Sequence, residues 1–507
     1  MNSTNHWRSR LLGGGLAAAS ILLGASSGTD ARLADAVEHR DRQAIQALLA
    51  EKADPNTPQV DGATALHWAA FNDDLATAQA LIKAGANAKA ANRYGVTPLS
   101  LACTNGNAAM IELLIKAGAD PNATLRGGET ALMTAARSGH AAAVKTLLAA
   151  GAKVDVREER RKQTPLMWAA AEGHAEVVKE LIAAGADFRA RLPSGFTPLL
   201  FAVREGRQEA VKALLAAGAD VNDTVQPSPA AGRIARGPAR SGTSALVLAT
   251  INGHFELAAQ LLDAGADPNH IGSGWTALHA ITGVRKPGGG DNNPAPQGSG
   301  SLTSLQFIDK LKAKGADLNA RMTKKINVGL TSLNTAGATA FLLAARSGDS
   351  EMMRKLASLG ADPLIPNNDG ATPLIVAAGL GTRSPGEDAG TEAEVIEAVK
   401  LALELGNDIN AADSRGETAM HGAAYKNLPG VVLLLAERGA DPAVWNKKNK
   451  MGWTPLIIAE GYRFGNYKPS LVTVEAFHKV MKAAGLPIPV SPPPGSKGSP
   501  ATAEFQD

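Results

Sequence analysis

The sequence predicts an all-α repeat solenoid of about twelve stacked helix-turn-helix units, each carrying a β-hairpin finger. Three observations carry this expectation. The tetrapeptide Thr-Pro-Leu, or a near variant, begins at Thr64, Thr97, Thr130, Thr164, Thr197, Ser244, Thr276, Thr339, Thr372, Thr418 and Thr454, with gaps of 33, 33, 34, 33, 47, 32, 63, 33, 46 and 36 residues. A glycine follows the threonine by 21 residues in a regular unit, as in Thr97 to Gly118. The fifth position after the threonine is alanine in every unit but one, where it is Ile281. A fixed period of this size is one supersecondary unit stacked many times, not one closed core.

Residues 94–126 show how each element arises. Gly95 suits a tight turn, because glycine tolerates backbone angles closed to other residues. Thr97 can cap a helix through its hydroxyl, and Pro98 takes the first helical position, where its missing N–H costs nothing. Leu99, Leu101 and Ala102 start an apolar stripe that ends at Asn105-Gly106-Asn107. Ile111, Leu114 and Ile115 share one face of a second helix, and Gly118 fits the left-handed position just past its end. Asp120-Pro121-Asn122 turns the chain out toward the next unit.

This chain resembles the ankyrin repeat family. The resemblance rests on TALHWAA (64–70), TPLMWAA (164–170), GHAEVVKELIAAGAD (173–187) and GADPN (118–122 and 265–269), all in phase. It covers roughly residues 30–486, with a regular part at 30–218 and a loop-elaborated part at 219–486. Extending the phase backward gives a degenerate first unit at about 30–60, in which Lys52 stands where Gly85 stands. The resemblance assigns His67, His279 and His421 a structural hydrogen-bonding role. It assigns His140, His174 and His254 the usual place at the start of the second helix.

The ends differ from this body. Residues 1–26 read as a signal peptide: a basic lead, the apolar run 11–25 and small residues after it. A periplasmic or secreted protein follows, without stable membrane insertion once the leader is cleaved. Residues 487–507 are too proline-rich for a packed helix and read as a disordered tail. Cys103 is the single cysteine and reads as a buried structural thiol. Lys and Arg number 51 against 48 Asp and Glu, which leaves no footprint for nucleic acid.

Departures from the period fall after Thr197. Insertions between the two helices lie within 283–301 and 380–390; the first is rich in glycine, proline and serine and reads as mobile. Insertions that lengthen fingers bring Arg233, Arg236 and Arg240, then Arg321, Lys324 and Lys325, then Lys447, Lys448 and Lys450. Such cations suit an acidic protein or an anionic envelope polymer, although charged loops also serve solubility.

The resemblance implies that partners touch the fingers and the inner helix face, toward which the residue before the signature threonine points; here it is Phe196, Trp275 and Trp453. With Tyr94 in a finger and Phe71 and Tyr425 ending first helices, they form a candidate partner surface. No histidine, cysteine or acidic spacing matches a metal site, and no phosphate loop or nucleophile elbow occurs, so no catalytic residue, cofactor or metal is assigned. The expected function is a non-enzymatic, monomeric protein-interaction scaffold outside the cytoplasm. The alternatives are a polymer binder acting through basic fingers and a secreted effector acting on a host protein.

Overall fold

A computed structural model describes residues 30–228, 241–287, 295–326, 331–462 and 468–489. Among the described residues 25 helices form twelve pairs, from Arg32–Glu38 with Arg42–Ala50 to Pro455–Ala459 with Leu471–Ala483, plus one short extra helix, Pro442–Trp445. The signal segment, the end of the tail, and Arg233, Arg236 and Arg240 lie outside the described residues.

The chain divides into two compact units. One holds residues through 102 together with 112–120; the other holds 103–111 and everything from 121 onward. In both, first helices pack on first helices, and in the larger unit second helices also pack on second. The alanines five after each threonine are buried throughout, and so is Ile281. Small side chains there let helices approach closely, and Leu66, Leu81, Leu114, Leu147, Leu181 and Leu214 fill the space between them. Cys103 is buried, and burial pushes its thiol well above the usual range, so it packs as an apolar group.

The signature threonines cap as expected. Thr130 and Thr164 accept from the backbone N–H three residues on, at 3.3 Å each. Where the third residue is histidine, the cap becomes reciprocal. His279 Nδ1 accepts from the Thr276 N–H at 3.2 Å, and its Nε2 lies 3.1 Å from the Ala338 carbonyl of the following finger. Burial drives this imidazole down to about 4, so it is neutral with the proton on Nε2, which donates to that carbonyl. His67 makes the same bridge to Val96 at 3.0 Å.

Second helices are tied backward. His140, His174 and His254 place Nε2 at 3.2, 3.0 and 3.1 Å from the carbonyls of Thr104, Arg137 and Arg204. Arg207, which replaces histidine in one unit, donates Nε–H to Ala171 at 3.0 Å. Gly139 shows why glycine precedes the histidine: a Cβ there would sit 2.6 Å from the His174 ring, at φ 82°. The loop asparagines join neighbours too. Asn122 donates to the Gly151 carbonyl at 3.1 Å and accepts from the Lys153 N–H at 2.8 Å. Asn56 and Asn269 repeat the pattern toward Gly85 and Gly315.

Three expectations need correction. Fingers are turn-closed loops: the described residues contain only isolated bridges, Thr124–Thr130, Thr224–Ser244 and Thr331–Thr382, and a finger of regular length is too short for a ladder. The described part of the first inter-helix insertion is docked, with the Ser299 and Ser301 N–H groups donating to His254 Nδ1 at 3.0 Å and Glu256 Oε2 at 2.9 Å. Asp441 caps the unforeseen helix Pro442–Trp445, which buries Trp445.

Candidate functional site

Three of the later fingers are each headed by one polar side chain that holds its own turn. Asn367, Asp413 and Asn449 accept through Oδ1 from the N–H groups two and four residues on, all at 2.8–3.0 Å. Gly416 supplies the positive φ of 76° that the Asp413 turn requires. Neighbouring fingers are then joined by single backbone bonds. Asn368 N–H donates to Ala336, Ser414 to Asp369 and Lys450 to Arg415, at 3.0, 2.7 and 2.9 Å. Four consecutive fingers are thus held in one register.

Two insertions close over them. The stretch 331–333 pairs with the inter-helix insertion: Ser332 N–H and the Thr331 hydroxyl donate to the Gly381 carbonyl at 2.9 and 3.0 Å. That insertion is anchored beneath by Arg346 and Asp388, 2.6 Å apart with side chains only 6% and 4% exposed. Thr382 donates to the same carboxylate at 2.9 Å, and Lys426 donates to the Ala389 carbonyl. Burial holds Lys426 down at about 8.

The result is a pocket of ≈ 300 Å³. Leu333, Ala371, Leu380 and Met451 give it apolar walls, and Asp369, Asp413 and Glu417 bring three carboxylates against Arg415 and Lys450. Glu417 is 4% exposed. Its Oε1 accepts from the Tyr425 hydroxyl at 3.1 Å and from Asn449 Nδ2 at 2.8 Å, while Oε2 has no partner. Burial, reinforced by the Asp413 carboxylate, raises Glu417 to about 7. Burial also raises Asp413.

The residues singled out from sequence scatter. Tyr94 and Phe71 are exposed, at 64% and 38%, in the first compact unit. Trp275 is half-buried, and Lys324, Lys325, Lys447 and Lys448 are exposed. Phe196, Tyr425 and Trp453 are buried and do not form an open surface. Phe196 packs on Phe201 with ring centroids 5.3 Å apart, beneath the Arg204 guanidinium. Of the residues named from sequence, the pocket includes Tyr425, as a wall residue, and Lys450 from the last basic finger.

Glu417 was missed. It occupies the same place before the threonine as Phe196, Trp275 and Trp453, and an acid in a mostly apolar series was the signal. Among the described residues, no group of three or more His, Cys, Asp or Glu could hold a metal ion, and no helix is long and apolar enough to cross a membrane.

Family models for ankyrin repeats match residues 33–125 and 132–225, 109–148, 241–272 and 336–368, together about half of the chain. A fowlpox virus protein, FPV219, is 46% identical over 50 residues, 10% of this chain and 12% of that protein. Mouse oxysterol-binding protein-related protein 1 is 39% identical over 75 residues, 15% of this chain and 7% of that protein. The chain spans less than a quarter of the length of the curated relatives it matches. Among solved structures, the human ASB11 ankyrin repeat domain aligns with 50% of this chain and 98% of that chain at 26% identity, with a TM-score of 0.39.

Proposed function

Because the chain belongs to the ankyrin repeat family, whose repeats generally mediate protein–protein interaction, we propose that it is a non-enzymatic protein-interaction scaffold outside the cytoplasm, periplasmic or secreted. The observation that carries this reading is the register of the fingers. Backbone bonds between successive fingers, with polar side chains holding each turn, make an edge whose geometry is set before a partner arrives. A preorganised surface loses little entropy on binding. Export is supported by the composition of residues 1–26. The matched family models are all of ankyrin repeats, none of them catalytic.

Affinity capture from an envelope fraction tests the reading. Wild-type protein should retain a defined polypeptide, and Lys324→Ala/Lys325→Ala/Lys447→Ala/Lys448→Ala should retain at least fivefold less with an unchanged melting profile. Equal capture by both proteins would sink the finger assignment. Capture of polysaccharide alone, lost steeply with added salt, would replace a protein partner with an anionic polymer. Recovery of the chain from the cytoplasm with residues 1–26 intact would remove the export half of the reading.

A further inference from the structure

The pocket contains a buried acid, Glu417, that forms an ion pair with neither lining cation: Arg415 lies with Asp369 at 3.9 Å, and Lys450 forms none to it. The chain shows elsewhere what its counter-ion can be. Glu129 holds the position before Thr130 that Glu417 holds before Thr418. Glu129 pairs at 2.9 Å with Arg137, which lies seven residues after the threonine. In the later unit that place is taken by Tyr425, whose hydroxyl reaches Glu417 at 3.1 Å but brings no positive charge. No ion pair to Glu417 exists among the described residues, and Oε2 stays buried without a partner. A buried carboxylate in that condition is costly, and a purely structural stack gains nothing from retaining it.

We infer that the pocket walled by Leu333, Leu380, Asp369, Asp413 and Glu417 takes an alkylammonium group, supplied as a lysine side chain of a partner protein. The partner's charge fills the role that Arg137 plays within the regular unit. This rests on the interaction reading above for the source of the lysine. Geometry favours an ammonium over a guanidinium. Glu417 Oε1 already holds two donors, so only Oε2, buried in the wall and without a donor, is left to accept. A guanidinium fork pairs best with both oxygens of one carboxylate, whereas an ammonium is a point charge with three donors that can be shared with neighbouring carboxylates. Apolar walls at Leu333, Ala371 and Leu380 suit the four-carbon stem.

Calorimetric titration of the full chain at pH 8 tests this with blocked lysine (N-acetyl-lysine methylamide), blocked arginine, blocked norleucine and 1,5-diaminopentane. Blocked lysine should bind at least tenfold more tightly than the arginine and norleucine analogues. Glu417→Gln, which keeps the shape, should weaken it at least tenfold. Tyr425→Arg, which restores an internal counter-ion, should do the same. Circular dichroism melts should show all three proteins folded. Undetectable lysine binding, equal binding of the arginine analogue, or unchanged binding by Glu417→Gln would overturn the inference. Diaminopentane binding tenfold more tightly than blocked lysine would overturn the partner side chain as source. Protein capture that persists without lysine binding defeats this inference alone; lysine binding without any captured protein defeats the scaffold reading alone.

Discussion

Residues 121–218 and 331–453 belong to the same compact unit and share the same helix-pair chemistry, yet they present different surfaces. In the regular stretch, cations near the finger bases are spent internally. Arg137 pairs with Glu129 and lies over Trp168, and Arg204 covers Phe196 and Phe201 with its charge 5.2 and 5.0 Å from the two rings. In the elaborated stretch, two insertions meet across the fingers and enclose Glu417 with Arg415 and Lys450 in the same pocket but neither in an ion pair with it. In the regular stretch the half-buried acid before the threonine, Glu129, has its cation; a concavity whose buried acid pairs with none arises where the repeat is interrupted.

The largest expected effect is on the anchor of the elaborated stretch. Asp388→Ala strands the buried Arg346 and should cost about 3–5 kcal/mol, read as a fall in denaturant midpoint. A loss below about 1 kcal/mol would show that the insertion is not held from beneath. In the regular stretch, Leu181→Ala should cost about 2–5 kcal/mol through an unfilled cavity, seen by the same measurement. Equal loss of pocket binding in both variants would erase the contrast between the two stretches.

Next comes pH. Glu417 sits at about 7 in the fold, while an ordinary glutamate ionises near about 4.3. Its contribution is therefore full below that ordinary value and is lost as pH rises through about 7. His279 and His421, both lowered to about 4 by burial, run the other way, with contributions full above their ordinary value near 6.5 and lost as pH falls through 4. Glu417→Gln should thus match wild type near about pH 4 and exceed it by about 1–3 kcal/mol at pH 8. Chemical melts across that range check the sign; a variant less stable than wild type at pH 8 would refute it. The smallest effect belongs to Arg204→Ala, which removes a half-buried cation from two rings and should cost about 0.5–1 kcal/mol with no change in lysine binding at the pocket.

Much of the architecture was legible because it depends on short-range chemistry. Threonine caps, post-helical glycines and buried alanines recur in phase, and even Lys52 takes the left-handed φ of 58° that its alignment with Gly85 implied. The candidate site was less legible. Whether Phe196, Tyr425 and Trp453 face outward depends on what the next unit lays over them, and all three are covered. Composition made 283–301 look unattached, yet Ser299 and Ser301 find acceptors on the preceding helix pair. The pocket joins residues from four fingers and one insertion, a convergence that no single period reveals.

Where they occur, the asparagine and histidine bridges tie a helix pair to its immediate neighbour, and several copies offer the same donor and acceptor. Removing one whole repeat from the regular stretch would therefore bring matching halves together, so that stretch is free to vary in length by whole steps. No such excision is open to residues 331–453, where one missing finger would break a chamber built from four. The chain thus combines an elastic part list with one indivisible passage.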